Sequence, residues 1–99
     1  MNRQKLLNGI ASDVRSEMVT TIEDGFDWFR YEKEYGTALV LVDFREIRLT
    51  NGMLYDDVEV AVQHDDDNSR ISSNLEKAIR EALPDWFTVK REVEDRLIA

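Results

Sequence analysis

Cysteine is absent from the 99 residues, which excludes a disulfide framework, a thiolate nucleophile and a cysteine-bound zinc site. Stability must then rest on packing, a situation that fits a reducing compartment. Histidine occurs once, as His64, so a His-x-x-x-His metal pair is excluded. A nucleophile–His–acid triad would have to recruit Ser or Thr, and no motif supports one. Proline occurs once and glycine four times, and no Gly-rich phosphate loop is present. No apolar run approaches the roughly eighteen residues needed to cross a bilayer, and the first residues lack the apolar segment of a signal peptide. A soluble, cytoplasmic protein is therefore expected.

Positive charge is also scarce. Thirteen Lys and Arg face 21 Asp and Glu, for a net charge of −8. Long-range attraction to nucleic acid or to an anionic membrane is disfavoured by that balance. A protein partner, a cation, or imitation of nucleic acid remains open.

What is present suffices for one core. Residues 1–99 form a single domain by length, and a hydrophobic fraction of 42% with two Trp, three Tyr and four Phe argues against disorder. The chain centres on positions 37–63, where two alternating β-branched arms flank Thr50-Asn51-Gly52. Asn-Gly between such arms is the strongest short-range hairpin signal. A two-residue loop would set Phe44 opposite Glu59. A three-residue loop with Gly52 left-handed instead sets Phe44 opposite Val58, Val42 opposite Val60, Val40 opposite Val62 and Arg45 opposite Asp57. A one-residue slip exchanges the faces of every side chain, and only the second register stacks apolar on apolar. It also leaves Asp43 facing Glu59, an unfavourable pair that a neighbouring Arg30 could relieve.

Upstream, positions 26–34 read as an aromatic strand. A tight turn at Tyr35-Gly36 pairs Glu34 with Thr37, Tyr31 with Val40 and Phe29 with Val42. Phe29 and Tyr31 then join Val40, Val42, Phe44, Val58, Val60 and Val62 on one face. Positions 2–24 read as a helix, with Leu7, Ile10, Val14, Met18 and Ile22 at three- and four-residue spacing and Gly25 as its C-cap. This helix is expected to cover the apolar sheet face.

A second helix begins at a Ser73–Glu76 capping box, carries Leu75, Ala78, Ile79, Ala82 and Leu83, and stops at Pro84. The tail from Trp86 is read as a strand to about Val93, with a helix carrying Val89, Val93 and Leu97 as the alternative. The expected fold is thus α+β, in the order α-β-β-β-α-β.

The second sheet face is where function is expected. It carries Trp28, Leu39, Leu41, Ile47, Leu49, Tyr55 and Ala61 among Arg30, Glu32, Asp43 and Arg45, more apolar than a solvated sheet face needs. Of these, Trp28, Leu39, Leu41, Ile47 and Tyr55 are the candidate interface. Asp56, Asp57, Glu59, Asp65, Asp66 and Asp67 form a second candidate, an acidic stretch without Lys or Arg that could imitate a phosphate backbone or, more plainly, protect a strand edge.

Asp65, Asp67, Ser69, Ser73 and Glu76 match the oxygen-ligand spacing of an EF-hand loop, but Arg70 stands where the turn needs Gly and a strand, not a helix, precedes. Pro84-Asp85 with Lys90 falls short of a nuclease pattern because no Glu-x-Lys follows. Trp28 and Trp86 can each serve as a binding anchor or as core. The expectation is a non-catalytic module without cofactor or metal, binding a protein or a second copy of itself, and neither nucleic acid nor membrane directly. The alternative is an acidic inhibitor of a nucleic-acid-binding protein, of the kind phage and mobile elements encode.

Overall fold

A computed structural model describes residues 3–36, 38–64 and 69–98. The element order is α1 (Arg3–Glu23), β1 (Trp28–Tyr35), β2 (Ala38–Arg48), β3 (Leu54–His64), α2 (Ser69–Ala82) and α3 (Trp86–Ile98). The class is α+β, and the sheet is an antiparallel meander in the order β1-β2-β3.

The second hairpin has the register that apolar stacking demands. Phe44 lies opposite Val58, Val42 opposite Val60, Val40 opposite Val62 and Arg45 opposite Asp57. Leu49 N–H donates to Met53 C=O at 2.8 Å, closing a three-residue loop in which Gly52 sits at φ +87°. A side chain there would meet backbone strain, so glycine suits the position. Asp43 does face Glu59, and the Arg30 guanidinium answers it at 3.1 Å from Asp43.

The first hairpin differs from expectation by two residues. Phe29 pairs with Phe44 and Tyr31 with Val42, and the ladder runs on to Tyr35 opposite Ala38, so Tyr35 belongs to the strand rather than to the turn. Gly36, at φ +62°, follows directly on the strand. Because strand side chains repeat every two residues, this shift leaves every β1 residue on its expected face.

α1 ends in paired bonds, Phe26 N–H to Thr21 C=O at 2.9 Å and Gly25 N–H to Ile22 C=O at 3.1 Å, the Schellman arrangement for a left-handed glycine. Its Ile10, Val14 and Met18 are buried against Phe29, Tyr31, Val40, Val42, Phe44, Val60 and Val62. Burying side chains of this size contributes about 1.5–3 kcal/mol each.

Two expectations about the C-terminal third are corrected. α2 starts at Ser69, so Ser73 and Glu76 lie inside it and no capping box forms there. The tail is a helix, not a strand. Its N-cap is Asp85, whose Oδ2 accepts the Thr88 N–H at 3.0 Å and the Thr88 hydroxyl at 2.8 Å. From that cap Trp86, Val89 and Val93 fall on one side, each at most 2% exposed. A strand would have turned Trp86 and Val89 to opposite faces. Pro84 thus separates two helices.

α2 also closes one edge of the sheet. Leu49–Met53 is a hydrogen-bonded pair, and such pairs alternate along an antiparallel ladder. The even-numbered β3 residues consequently direct their backbone groups away from β2. Arg80 donates to Val58 C=O at 2.7 Å, and Glu76 Oε1 accepts the Val62 N–H at 3.0 Å. One helical turn of side chains thereby takes up edge groups that could otherwise pair with another strand.

Candidate functional site

All core residues contributed by the sheet come from one face: Phe29 and Tyr31 of β1, Val40, Val42 and Phe44 of β2, Val60 and Val62 of β3. The three helices pack there, leaving the other face, called the outer face below, without a covering element among the described residues. Strand alternation places Trp28, Leu39, Leu41, Ile47 and Tyr55 together on it. Trp28 is 56% and Tyr55 43% exposed, while Leu39, Leu41 and Ile47 are half-buried by their neighbours.

The register orders this face in rows across the strands. Leu49 and Met53, both exposed, pair at the turn, followed by Ile47 opposite Tyr55. Next comes Trp28–Arg45–Asp57, then Arg30–Asp43–Glu59, then Glu32–Leu41–Ala61, then Glu34–Leu39–Gln63. The apolar surface is therefore two patches. Trp28, Ile47, Leu49, Met53 and Tyr55 form the larger, at the β2–β3 turn, and Leu39, Leu41 and Ala61 the smaller. Between them runs a shallow groove of about 450 Å³ lined by Trp28, Arg30, Asp43, Arg45, Asp57 and Glu59. Met53, next to the turn, was not singled out by sequence reasoning; its pairing with Leu49 in the three-residue loop was the available signal.

The acidic stretch does not form one array. Asp57 and Glu59 lie on the outer face, but Asp56 points to the opposite side, where with Arg80 and Asp85 it borders a cavity of about 310 Å³. Asp65, Asp66 and Asp67 lie outside the described residues, and so does the first half of the EF-hand-like spacing. Glu76, the last of that series, is engaged by the Val62 amide. Among the described residues no group of three or more His, Cys, Asp or Glu could hold a metal ion. No described helix is long and apolar enough to cross a membrane.

Two polar clusters lie on the helix side, and the chemistry of both is that of fixed charges. Asp13 of α1 accepts from Tyr31 Oη at 2.8 Å and Lys33 Nζ at 3.1 Å, and Tyr35 Oη lies 2.9 Å from Tyr31 Oη. The Tyr31 hydrogen bond, then that of Lys33, holds the Asp13 carboxyl below its ordinary range. Burial, then hydrogen bonds to Tyr35 and Asp13, pushes the Tyr31 phenol far up, so it stays protonated. The Asp13 contact likewise raises Lys33. A locked acceptor beside a locked donor pins α1 to β1 and is poorly suited to proton transfer at neutral pH.

Glu46 of β2, its side chain 10% exposed, accepts the Trp86 indole N–H at 3.0 Å and Lys90 Nζ at 2.9 Å. Burial alone would raise its pKa. The hydrogen bonds from Trp86 and Lys90, with the charges of Lys90 and Arg48, outweigh burial and hold it below the usual value. Trp86 is 1% exposed and lies tilted against Phe44, ring centres 4.4 Å apart. This cluster satisfies a buried indole donor and anchors α3 under the sheet.

Compared with protein-family models, curated protein sequences and solved structures, the chain matches none of them.

Proposed function

We propose that the chain is a non-catalytic interaction module that binds a protein partner through the outer face of its sheet. The observation supporting this is the sidedness of the fold. The three described helices lie on one face, while Trp28, Ile47, Leu49, Met53 and Tyr55 stand together on the other, exposed or half-buried. A contiguous apolar patch rimmed by charge is the usual appearance of a binding surface. The nucleic-acid-mimic reading draws less support, because Asp56 stands on the opposite side of the sheet from Asp57 and Glu59.

The test is Leu41→Glu beside Tyr55→Ala, read by circular dichroism and by light scattering with and without the binding partner. Neither residue belongs to the core, so both variants should keep the wild-type spectrum. Truncating an aromatic anchor at the centre of an interface typically costs about 2 kcal/mol or more, roughly thirtyfold in affinity. Loss of association by folded variants is expected. Unfolding of Leu41→Glu, or full retention of association by both, would contradict the assignment.

A further inference from the structure

The two edges of the sheet are treated differently. On β3, Arg80 and Glu76 occupy outward carbonyl and amide groups. β1 has no such cover among the described residues. Glu46 N–H donates to Asp27 C=O at 2.8 Å, which makes Phe29–Phe44 and Tyr31–Val42 hydrogen-bonded pairs in turn. Trp28, Arg30, Glu32 and Glu34 therefore direct their amides and carbonyls out of the sheet. An open edge is a template for another strand.

Charges on an edge strand ordinarily repel such pairing. Here their order is self-complementary. A second copy can be laid antiparallel along β1, about a two-fold axis through Tyr31. Arg30 of each copy then falls opposite Glu32 of the other, and Trp28 opposite Glu34, with the overlap running the full distance from position 28 to 34. Moving the axis to Glu32 sets Glu32 against its own copy, and moving it to Arg30 sets Arg30 against its own copy. Both are like-charge pairs, which sheets disfavour. Within its own chain Glu32 lies opposite Leu41, and no ion pair is formed by it among the described residues. Arg30 of the second copy would supply the missing cation while Asp43 holds the other side of the same guanidinium.

We infer that the exposed edge of β1 joins two copies of this chain into a continuous six-stranded sheet, with Arg30 and Glu32 exchanged across the two-fold. The occupant is a second copy because the charge order complements itself in one register. The dimer would extend the outer face across both subunits and present its apolar patches twice, without using that face for self-association.

Charge reversal and mixing test this. The wild type should scatter as two chains, twice 11.6 kDa, at micromolar concentration. Arg30→Glu alone sets two carboxylates opposite each other across the two-fold, and Glu32→Arg alone sets two guanidinium groups there. Each variant should be a folded monomer, weakened at least tenfold in association. Mixed one to one, they should form a heterodimer, because both pairs between positions 30 and 32 are again of opposite charge. Glu32→Pro is the further variant, should Arg30→Glu unfold beside Asp43. It removes an amide that points out of the sheet, so the internal ladder is kept and the dimer is lost. Tyr55→Ala, two strands away, should leave the dimer intact. A monomeric wild type would overturn the edge pairing and leave the outer-face reading standing. So would a dimer that resists Arg30→Glu, Glu32→Arg and Glu32→Pro but is lost with Tyr55→Ala. Failure of the two single variants to reconstitute a dimer on mixing would also overturn it.

Discussion

Val42→Asp is expected to unfold the protein, and Val60→Asp to do the same. Both side chains are opposite each other in the β2–β3 register on the helix-covered face, Val42 at 1% exposure and Val60 at 8%. A carboxylate at either position would lie among Phe44, Val14 and the other core residues. Arg80, which borders the same cavity as Val42, is already bonded to the Val58 carbonyl. A buried, poorly compensated charge is among the most destabilising of single changes. The loss should be about 4 kcal/mol or more, a large part of the marginal stability of a domain this size. Glu59→Lys supplies the contrast. One position from Val60 in sequence, it stands on the other side of the sheet, exposed and facing Asp43. Replacing a like-charge pair by an opposite one there should leave stability unchanged or slightly raised. Urea unfolding followed by circular dichroism reads all three. A folded Val60→Asp beside a collapsed Glu59→Lys would mean the register is off by one residue.

Trp86→Ala should produce the next largest loss, about 3–5 kcal/mol by the usual cost of deleting a buried indole. The effect exceeds packing because three interactions end together. The ring leaves Phe44, at 4.4 Å, and Phe29, at 6.3 Å. Glu46 loses the indole donor and keeps Lys90 as its partner. α3 loses the anchor of its first turn. Trp86→Phe retains the ring contacts and should cost markedly less. Equal losses for the two substitutions would assign the whole effect to the hydrogen bond, and no loss for either would place Trp86 outside the core.

The parts of the fold legible in sequence were those fixed by local chemistry. Thr50-Asn51-Gly52 admitted two loop lengths, and stacking of Phe44 and the valines selected one. The Arg30 compensation of Asp43 followed from the same alternation. Tyr35-Gly36 lacked that discrimination: a single glycine can take either position of a two-residue turn, and both choices preserve the faces, so nothing apolar arbitrated between them. In the tail, Thr88 and Val89 favoured a strand locally. The competing signal was Asp85 after Pro84, an N-cap, followed by Trp86, Val89 and Val93 at helical spacing. Tertiary burial of Trp86 then favours the helix.

The candidate surface was half legible. Alternation gathered Trp28, Leu39, Leu41, Ile47 and Tyr55 on one face, but whether a later element covered them depended on where α2 and α3 pack. That is decided by Ile79, Trp86, Val89 and Val93, which share the core with α1. The use of Glu76 and Arg80 to close the β3 edge was not legible at all. One-turn spacing of a Glu and an Arg on a helix is common, and its meaning here comes from the strand it lies against.

Quenching of Trp28 fluorescence tests the central claim, a bare outer face, most directly. In a Trp86→Phe background Trp28 is the sole indole. In dilute monomer its emission should be red-shifted as for indole in water, and acrylamide should quench it nearly as efficiently as a free tryptophan derivative, in keeping with 56% exposure. A blue-shifted, quencher-protected Trp28 in the isolated, folded chain would mean that part of the chain covers this face, and the surface assigned to partner binding would belong to the core.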